Sequence, residues 1–326
     1  WHGNKPFSEY RKYFFRYASE FGFQSFPSVK TLETVTDDPK ELNPFSYVME
    51  KHQRNYGGNG KIAKYMQAAY RYPENFSDFV YASQLLQADG IRYGVEHYRR
   101  NRGRCMGAIY WQLNDCWPVI SWSSIDYYGR WKALHYYAKR FFAPVMLSCE
   151  EQSWMTVEAD MNRQHFEFEK SIRLNVTNET LDAHRVLVKW AVRKTDATIL
   201  REEEQWLEVP ALSAVWMDKV ELPQIDCFNE YVSYEAWEND QIISQGTVIF
   251  SYPKYFHYLN PGLAVRVDGD EIVVKAEAYA KSVEIRNEND DLILEDNYFD
   301  MNAGEYRVKI LDGKPDGLKV RSVYDI

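Results

Sequence analysis

The hydrophobic period of the chain changes at Ala143-Pro144, and this change constrains the fold more than any other feature. Before it, apolar runs and segments of helical spacing follow one another as strand, helices, strand, helix, which is typical of a parallel α/β architecture. After it, period-two alternation appears in short runs separated by turn residues, at 172–176, 186–192, 231–237 and 242–250. Such runs predict β-sandwiches. We therefore expect an α/β region followed by all-β regions.

A second break, between residues 252 and 262, divides the β-rich half. The stretch beyond this break has strand patterns of its own, at 263–267, 272–276, 283–285, 306–310 and 318–323. A chain of 326 residues is also long for a single domain. We predict three regions, an α/β region over 1–144 and two β-sandwiches over 145–252 and 253–326.

Glu20 has the clearest pattern for chemistry in the first region. It follows an apolar run at 13–18 and precedes Gly22, so the pattern predicts a buried strand whose last side chain emerges at the strand end. In a β/α barrel that end carries the active site, and a glutamate ringed by aromatic residues is a candidate nucleophile for an acetal or an ester. Taken alone, the pattern fits a solvated or ion-paired glutamate more often than a catalytic one.

Four motifs in the first region resemble one known family. The segment SEFGFQSFP at 19–27 is similar to the strand that carries the nucleophile in the β-mannosidases of glycoside hydrolase family 2. MEKHQRN at 49–55, YGVEHYRRNRGRCMGA at 93–108 and YWQLNDCWP at 110–118 extend the similarity in the same order. The resemblance covers the whole chain and is more specific in the first 144 residues than after them.

The resemblance implies the C-terminal part of a (β/α)8 TIM barrel followed by two immunoglobulin-like β-sandwich domains. Glu20 would lie on strand seven and attack the anomeric carbon of a terminal β-mannoside, forming a covalent glycosyl-enzyme that water releases with retained configuration. Such a mechanism needs a protonated carboxyl group roughly 5 to 5.5 Å from the nucleophile. In the family this acid/base is a glutamate after an asparagine on strand four, which we expect upstream of residue 1. Asn229-Glu230 has the same dipeptide but falls in a sandwich region.

The resemblance also suggests the residues that bind the sugar. Trp111, at the end of strand eight, would form a wall of the sugar subsite by stacking. Gln112, Asn114 and Asp115 follow it and could hold sugar hydroxyls or orient Glu20, although hydrogen bonding within the protein would give the same pattern. The implied partners are a β-mannoside oligosaccharide and the preceding part of the barrel, without which the two strands would have open edges.

Bulk properties exclude several other classes of function. A net charge of −9 argues against nucleic acid, and no apolar run approaches the roughly 18 residues of a membrane span. His2, His52 and His135 have no partners at metal-ligand spacing, so we expect no metal and no cofactor. The four cysteines lie far apart and read as reduced thiols, which favours the cytoplasm, while a lysosomal or secreted location stays open.

Two alternatives to a β-mannosidase remain. One is a sibling activity, a β-galactosidase, β-glucuronidase or exo-glucosaminidase. The other is a fragment without activity that serves as a β-sandwich scaffold or a carbohydrate-binding module. For the second alternative the candidate residues are Trp190, Trp206, Trp216 and Trp237, whose default role in strands is core packing.

Overall fold

The computed structural model describes residues 3–157 and 167–326. Its first region holds a pair of parallel strands, β1 (Ala18–Phe21) and β2 (Ala108–Tyr110), with Ala18 opposite Ala108 and Phe21 opposite Tyr110. The helices of the region are α1 (Val29–Leu32), α2 (Tyr47–Lys51), α3 (Gly58–Ala69), α4 (Phe76–Arg100) and α5 (Ala133–Phe141). Because long helical connections separate the two strands along the chain, the predicted α/β order of this region is confirmed.

Helix α4 is the central element of the molecule. It begins at the cap Asn75, whose side chain accepts a hydrogen bond from the backbone N–H of Asp78. Most of its residues are buried, because β1 packs on one side and β-rich layers pack on the other. On the first side the ring of Phe21 lies against Gly94, and on the second the hydroxyl of Tyr81 donates to the carbonyl oxygen of Ser282 (2.6 Å). None of the helices in residues 3–157 and 167–326 combines the length and hydropathy of a bilayer span.

The structure corrects the prediction of a buried strand over 13–20. The strand begins only at Ala18, and it runs past Glu20 to Phe21, so Glu20 is its penultimate residue. The apolar side chains before it are exposed because no described element covers them: Tyr13, Phe14, Phe15 and Tyr17. The segment Phe7–Lys12 forms a 3-10 helix that packs on α4.

The next region is a sandwich of two antiparallel sheets. One sheet has the strand order β10–β9–β5–β6, and the other pairs β3 with β4 and β4 with both β7 and β8. Its strands are β3 (Val145–Gln152), β4 (Ser171–Asn178), β5 (His184–Lys194), β6 (Ile199–Val209), β7 (Ser213–Trp216), β8 (Val220–Glu221), β9 (Glu230–Glu238) and β10 (Gln241–Ile249). Their inward side chains form one core that includes Trp190. The β-sandwich prediction is therefore confirmed for this region.

The last region is a second pair of antiparallel sheets, ordered β11–β12–β16–β14 and β15–β13–β17. Its strands are β11 (Ala264–Asp268), β12 (Glu271–Ala276), β13 (Ala280–Arg286), β14 (Ile293–Leu294), β15 (Phe299–Met301), β16 (Gly304–Asp312) and β17 (Lys319–Arg321). One hydrophobic core joins these sheets to α3, α4 and α5, with Ile62 and Leu85 at one end and Val308 at the other. The last sandwich thus supports the helical layer that carries β1 and β2.

Candidate active site

The ends of β1 and β2 are joined by a hydrogen bond from the backbone N–H of Trp111 to the carbonyl oxygen of Phe21 (2.8 Å). The rings of Phe21 and Tyr110 point toward the helices, where they contact Tyr98 and Phe141 at centroid distances of 5.9 and 6.4 Å. Because neighbouring side chains of a strand point to opposite faces, the residue before each ring lies on the face away from the helices. Glu20 is therefore exposed on that face, beside the strand that leads into Trp111.

Glu20 is surrounded by open space on this face. Its side chain is exposed, and it makes no hydrogen bond or ion pair with any residue that the structure describes. Ile109, on the neighbouring strand, is 49% exposed on the same side. A carboxylate that is not engaged by its own chain is available to a ligand.

Gly22 allows the two strand ends to approach each other. A Cβ atom at this position would lie 2.5 Å from the carbonyl oxygen of Trp111 and 2.8 Å from Cδ1 of Trp122. Both distances are far below van der Waals contact, and the first involves backbone that has little freedom to move. The glycine two residues after Glu20 is therefore the reason that Trp111 can follow β2 at this position.

Asp115 fixes the loop that follows Trp111. Its carboxylate is 9% exposed and accepts hydrogen bonds from Ser121 Oγ (2.7 Å), Ser123 Oγ (2.5 Å) and Gln112 Nε2 (3.2 Å). Gln112 Nε2 also donates to the carbonyl oxygen of Asn114 (3.0 Å). The structure thus uses Asp115 as an internal acceptor, which is one of the two roles that the sequence left open.

The loop forms one wall of an open cleft of about 560 Å³. All four residues that we predicted for sugar binding line this cleft: Trp111, Gln112, Asn114 and Asp115. Trp111 is 48% exposed and Asn114 is also exposed, whereas Gln112 is half-buried. Glu20 does not itself line the cleft, since it lies on the adjacent strand. The structure therefore brings the predicted binding residues together, with the candidate nucleophile next to them.

Six further residues line the cleft without a predicted binding role, namely Arg54, Cys116, Trp117, Val119, Ser121 and Trp122. The two tryptophans bring indole rings to the same cleft as Trp111. Arg54 belongs to the MEKHQRN motif at 49–55, whose side chains received no role. A cationic side chain inside a motif that resembles a glycosidase family was the sequence feature that could have indicated Arg54 as a binding residue.

Beneath the loop lies a buried lysine, Lys132, which is 1% exposed. Its Nζ donates to the carbonyl oxygen of Ser25 (3.3 Å). Burial lowers the pKa of Lys132 to about 8, while the carboxylates of Asp115 and Asp126 act in the opposite direction. The buried Lys132 therefore loses its positive charge as the pH rises above about 8.

In residues 3–157 and 167–326, no three His, Cys, Asp or Glu side chains are grouped closely enough to hold a metal ion. His52 and His135 are engaged within the protein, by the carbonyl oxygen of Pro118 and by Ser124 Oγ, at 2.6 and 3.2 Å. His2 lies outside the described residues.

Comparison with known proteins gives this arrangement a context. Residues 170–255 match a family described as the mannosidase Ig/CBM-like domain, and residues 258–326 match the Ig-fold domain of mannosidases. The β-mannosidase B of Thermothelomyces thermophilus is 29% identical over 99% of the chain, and the β-mannosidase of Capra hircus is 39% identical over 40% of it. The chain is similar to the β-mannosidases of glycoside hydrolase family 2. It corresponds to their C-terminal portion, and its two sandwich regions are Ig-like domains.

Solved structures of this family and its neighbours have the same fold. A β-D-mannosidase from Dictyoglomus thermophilum superposes over 99% of the chain with a TM-score of 0.84 and 26% identity. The exo-chitosanase of Amycolatopsis orientalis superposes over 98% with a TM-score of 0.68 and 15% identity, which is a likeness of fold. The chain spans 40% of the T. thermophilus protein, 16% of the C. hircus protein and 39% of the D. thermophilum chain.

Proposed function

We propose that the chain supplies the nucleophile and one wall of the sugar subsite to a retaining exo-β-mannosidase. The observation that carries the proposal is the position of Glu20 beside Trp111, at the joined ends of two parallel strands and on a face that no described element covers. The relatives of the chain are named β-mannosidases, which favours terminal β-D-mannose as the sugar removed.

We also propose that β1 and β2 are the last two strands of a (β/α)8 barrel within region 1–144, with Ig-like domains over 145–252 and 253–326. Parallel strands of soluble proteins are covered on both faces, whereas these two are covered by helices on one face only. A barrel supplies further strands on both edges and closes over the exposed face. The partner of this chain in the proposal is the preceding part of the barrel.

In the proposed mechanism, an Oε atom of Glu20 attacks the anomeric carbon of the mannoside. The glycosidic bond breaks as a carboxylic acid from the preceding part of the barrel gives its proton to the leaving oxygen. That group, now a carboxylate, takes a proton from water, and the resulting hydroxide displaces Glu20 from the anomeric carbon. Two displacements at one carbon leave its configuration unchanged. The reaction consumes one water and restores both carboxyl groups.

The cleft would hold the sugar by stacking and by hydrogen bonds. The exposed indole of Trp111 offers an apolar face for the C–H groups of the ring. Gln112 and Asn114 bring amide groups to the same cleft, and Asp115 contributes by holding the Gln112 side chain in place. A β-mannoside oligosaccharide is thus the proposed substrate.

The test compares the full-length enzyme with its Glu20→Gln and Glu33→Gln variants on aryl β-mannoside, β-galactoside, β-glucuronide and β-glucosaminide. Glu33 is an exposed glutamate paired with Lys30 at the end of α1, and it serves as the matched control. We expect the mannoside to be hydrolysed fastest, and Glu20→Gln to lose at least about three orders of magnitude in kcat while Glu33→Gln keeps full activity. Preference for another glycoside, or an active Glu20→Gln variant, would contradict the proposal.

A further inference from the structure

The cleft contains a cation, Arg54, that no step of the proposed mechanism uses. The backbone on either side of it is fixed by the loop opposite. The N–H of Ile120 donates to the carbonyl oxygen of His52 (2.7 Å), and the N–H of Arg54 donates to the carbonyl oxygen of Ile120 (3.2 Å). The segment 52–54 is therefore tied to the loop by an isolated parallel bridge between Gln53 and Ile120, and Arg54 is held at the edge of the cleft.

The two side chains before Arg54 hold this segment in place. His52 Nδ1 donates to the carbonyl oxygen of Pro118 (2.6 Å), and its ring lies 5.0 Å from that of Trp117. Gln53 accepts a hydrogen bond from the buried Gln24 (2.8 Å) and donates to Asn59 (2.7 Å). The side chains of His52 and Gln53 are thus engaged in hydrogen bonds within the protein, whereas that of Arg54 faces the cleft.

The side chain of Arg54 is exposed, and its guanidinium makes no hydrogen bond or ion pair with any residue that the structure describes. The carboxylate in the same cleft, Asp115, is already satisfied by two serines and Gln112. An arginine that lines a concave site, on an anchored backbone and without a partner, is available to a ligand.

Arg54 lies farther from the strand ends than Trp111 does. The N–H of Ser124 donates to the carbonyl oxygen of Gln112 (3.0 Å), close to the end of β2. From there the loop leads back through Ser121, which pairs with Ser25, to Ile120, where Arg54 is attached. Ser25 is already four residues beyond the end of β1, so Arg54 is attached to the loop several residues beyond the strand ends, whereas Trp111 directly follows β2.

We infer that Arg54 binds hydroxyl oxygens of the second sugar, on the leaving-group side of the bond that is broken. The inference rests on the proposed function, because it takes Trp111 as the wall for the terminal mannose. A guanidinium presents N–H donors in a planar fork, which suits two neighbouring hydroxyl groups of a pyranose. Trp117, also in the cleft and 37% exposed, offers the same sugar an apolar face. Arg54 thus makes the enzyme selective for a sugar as leaving group.

The experiment uses the full-length enzyme with two substrates, β-1,4-mannobiose and 4-nitrophenyl β-mannoside, whose leaving group has no sugar hydroxyls. The variants are Arg54→Gln and Arg54→Lys, with Arg71→Gln as a matched control, since Arg71 is exposed and does not line the cleft. Michaelis parameters and the thermal midpoint are measured for each. Arg54 is exposed and only its backbone is bonded, so we expect thermal midpoints within about 2 °C of wild type.

For Arg54→Gln we expect kcat/KM on mannobiose to fall roughly 10- to 100-fold, because a charge-assisted hydrogen bond to the second sugar is lost. The value of kcat/KM on the aryl mannoside should change less than about threefold. Arg54→Lys should recover part of the mannobiose rate. Equal losses on both substrates, or no loss on either, would overturn the inference. A wild-type enzyme that hydrolyses neither substrate would instead refute the proposed function.

Discussion

At the scale of single residues, the close approach of the two strand ends depends on Gly22. We expect Gly22→Ala to lower the free energy of unfolding by about 1–3 kcal/mol, because a Cβ 2.5 Å from the Trp111 carbonyl oxygen forces the backbone apart. Since Trp111 moves with it, kcat on an aryl mannoside should fall as well. Urea unfolding and steady-state kinetics of the full-length enzyme provide the measurements.

Gly60→Ala is the matched control for this change. Gly60 lies in α3 with no atom within 4 Å of an added Cβ, so alanine should stabilise the helix by about 0.5–1 kcal/mol. A Gly22→Ala variant as stable and as active as the Gly60→Ala variant would show that the strand ends tolerate separation.

Lys132 makes the free energy of unfolding change with pH in the alkaline range. Its pKa of about 8 in the folded chain is below that of an unfolded lysine, so between pH 8 and about 10 only the unfolded state keeps the proton. The unfolding free energy therefore rises with pH in this window, by up to about 1.4 kcal/mol per pH unit, and it carries the full penalty of burial below pH 8.

The measurement is urea unfolding of wild type and Lys132→Met at pH 7.5, 8.5 and 9.5. Subtracting one curve from the other removes the contribution of groups that titrate in both proteins. We expect the difference to move in favour of wild type as the pH rises. A difference that is independent of pH would mean that the buried lysine keeps its charge throughout.

At the scale of elements, the sequence predicted those segments whose side chains are patterned by burial within this chain. Strands β4, β5, β9 and β10 were recognisable from their alternation, because one face of each packs into a core. Strand β6 was not, since it is an edge strand exposed on both faces, with charged residues at 201–204. The run at 13–17 was misread for a related reason, since apolar residues imply burial only where something covers them.

The candidate site could be predicted only in part. Trp111 and its polar neighbours are adjacent along the chain, so a single motif was enough to group them. Arg54 is distant in sequence and reaches the cleft through backbone pairing with Ile120. The internal role of Asp115 depends on Ser121 and Ser123, whose contact with it is set by the path of the loop.

Strand β17 is attached to α4 through a buried ion-pair network. Arg321 donates to Glu284 on β13 and to Asp78 on α4 (3.0 Å), and its guanidinium lies 4.4 Å from the centre of the Tyr81 ring. We expect Arg321→Met to lower the free energy of unfolding by roughly 3–5 kcal/mol at pH 7, because it leaves the buried Glu284 carboxylate without its cation.

The pH dependence of this loss distinguishes its cause. In wild type, burial raises the pKa of Glu284 but Arg321 and further donors lower it below the ordinary value overall. Without Arg321 burial dominates, so the pKa rises above the unfolded value and the destabilisation is relieved as the carboxylate is protonated. Denaturant unfolding should therefore give a smaller loss at pH 4.5 than at pH 7. An equal loss at both values would point to packing on Tyr81 instead.

At the scale of the whole molecule, the helical layer is covered by sandwich domains on one side and carries a bare pair of strands on the other. Ile109 is 49% exposed on this bare face. In the proposed barrel this face is interior. Ile109→Arg should therefore change the stability of the chain described here by less than about 0.5 kcal/mol, yet destabilise the full-length enzyme by several kcal/mol.

The measurement is thermal unfolding of this chain and of the full-length enzyme, each with and without Ile109→Arg. The Ile109→Arg change in the short chain is the internal control, because it tests the substitution where its side chain meets water. A full-length enzyme that tolerates the arginine would place this face outside any barrel.

The central claim is that Glu20 forms a covalent bond to mannose. It is tested most directly by incubating the full-length enzyme with 2-deoxy-2-fluoro-β-mannosyl fluoride and measuring its mass under denaturing conditions, followed by peptide mapping. We expect one fluoromannosyl group per chain, located on the peptide that contains Glu20 and absent from the Glu20→Gln variant. An active enzyme that carries the label on a different carboxylate would contradict the account.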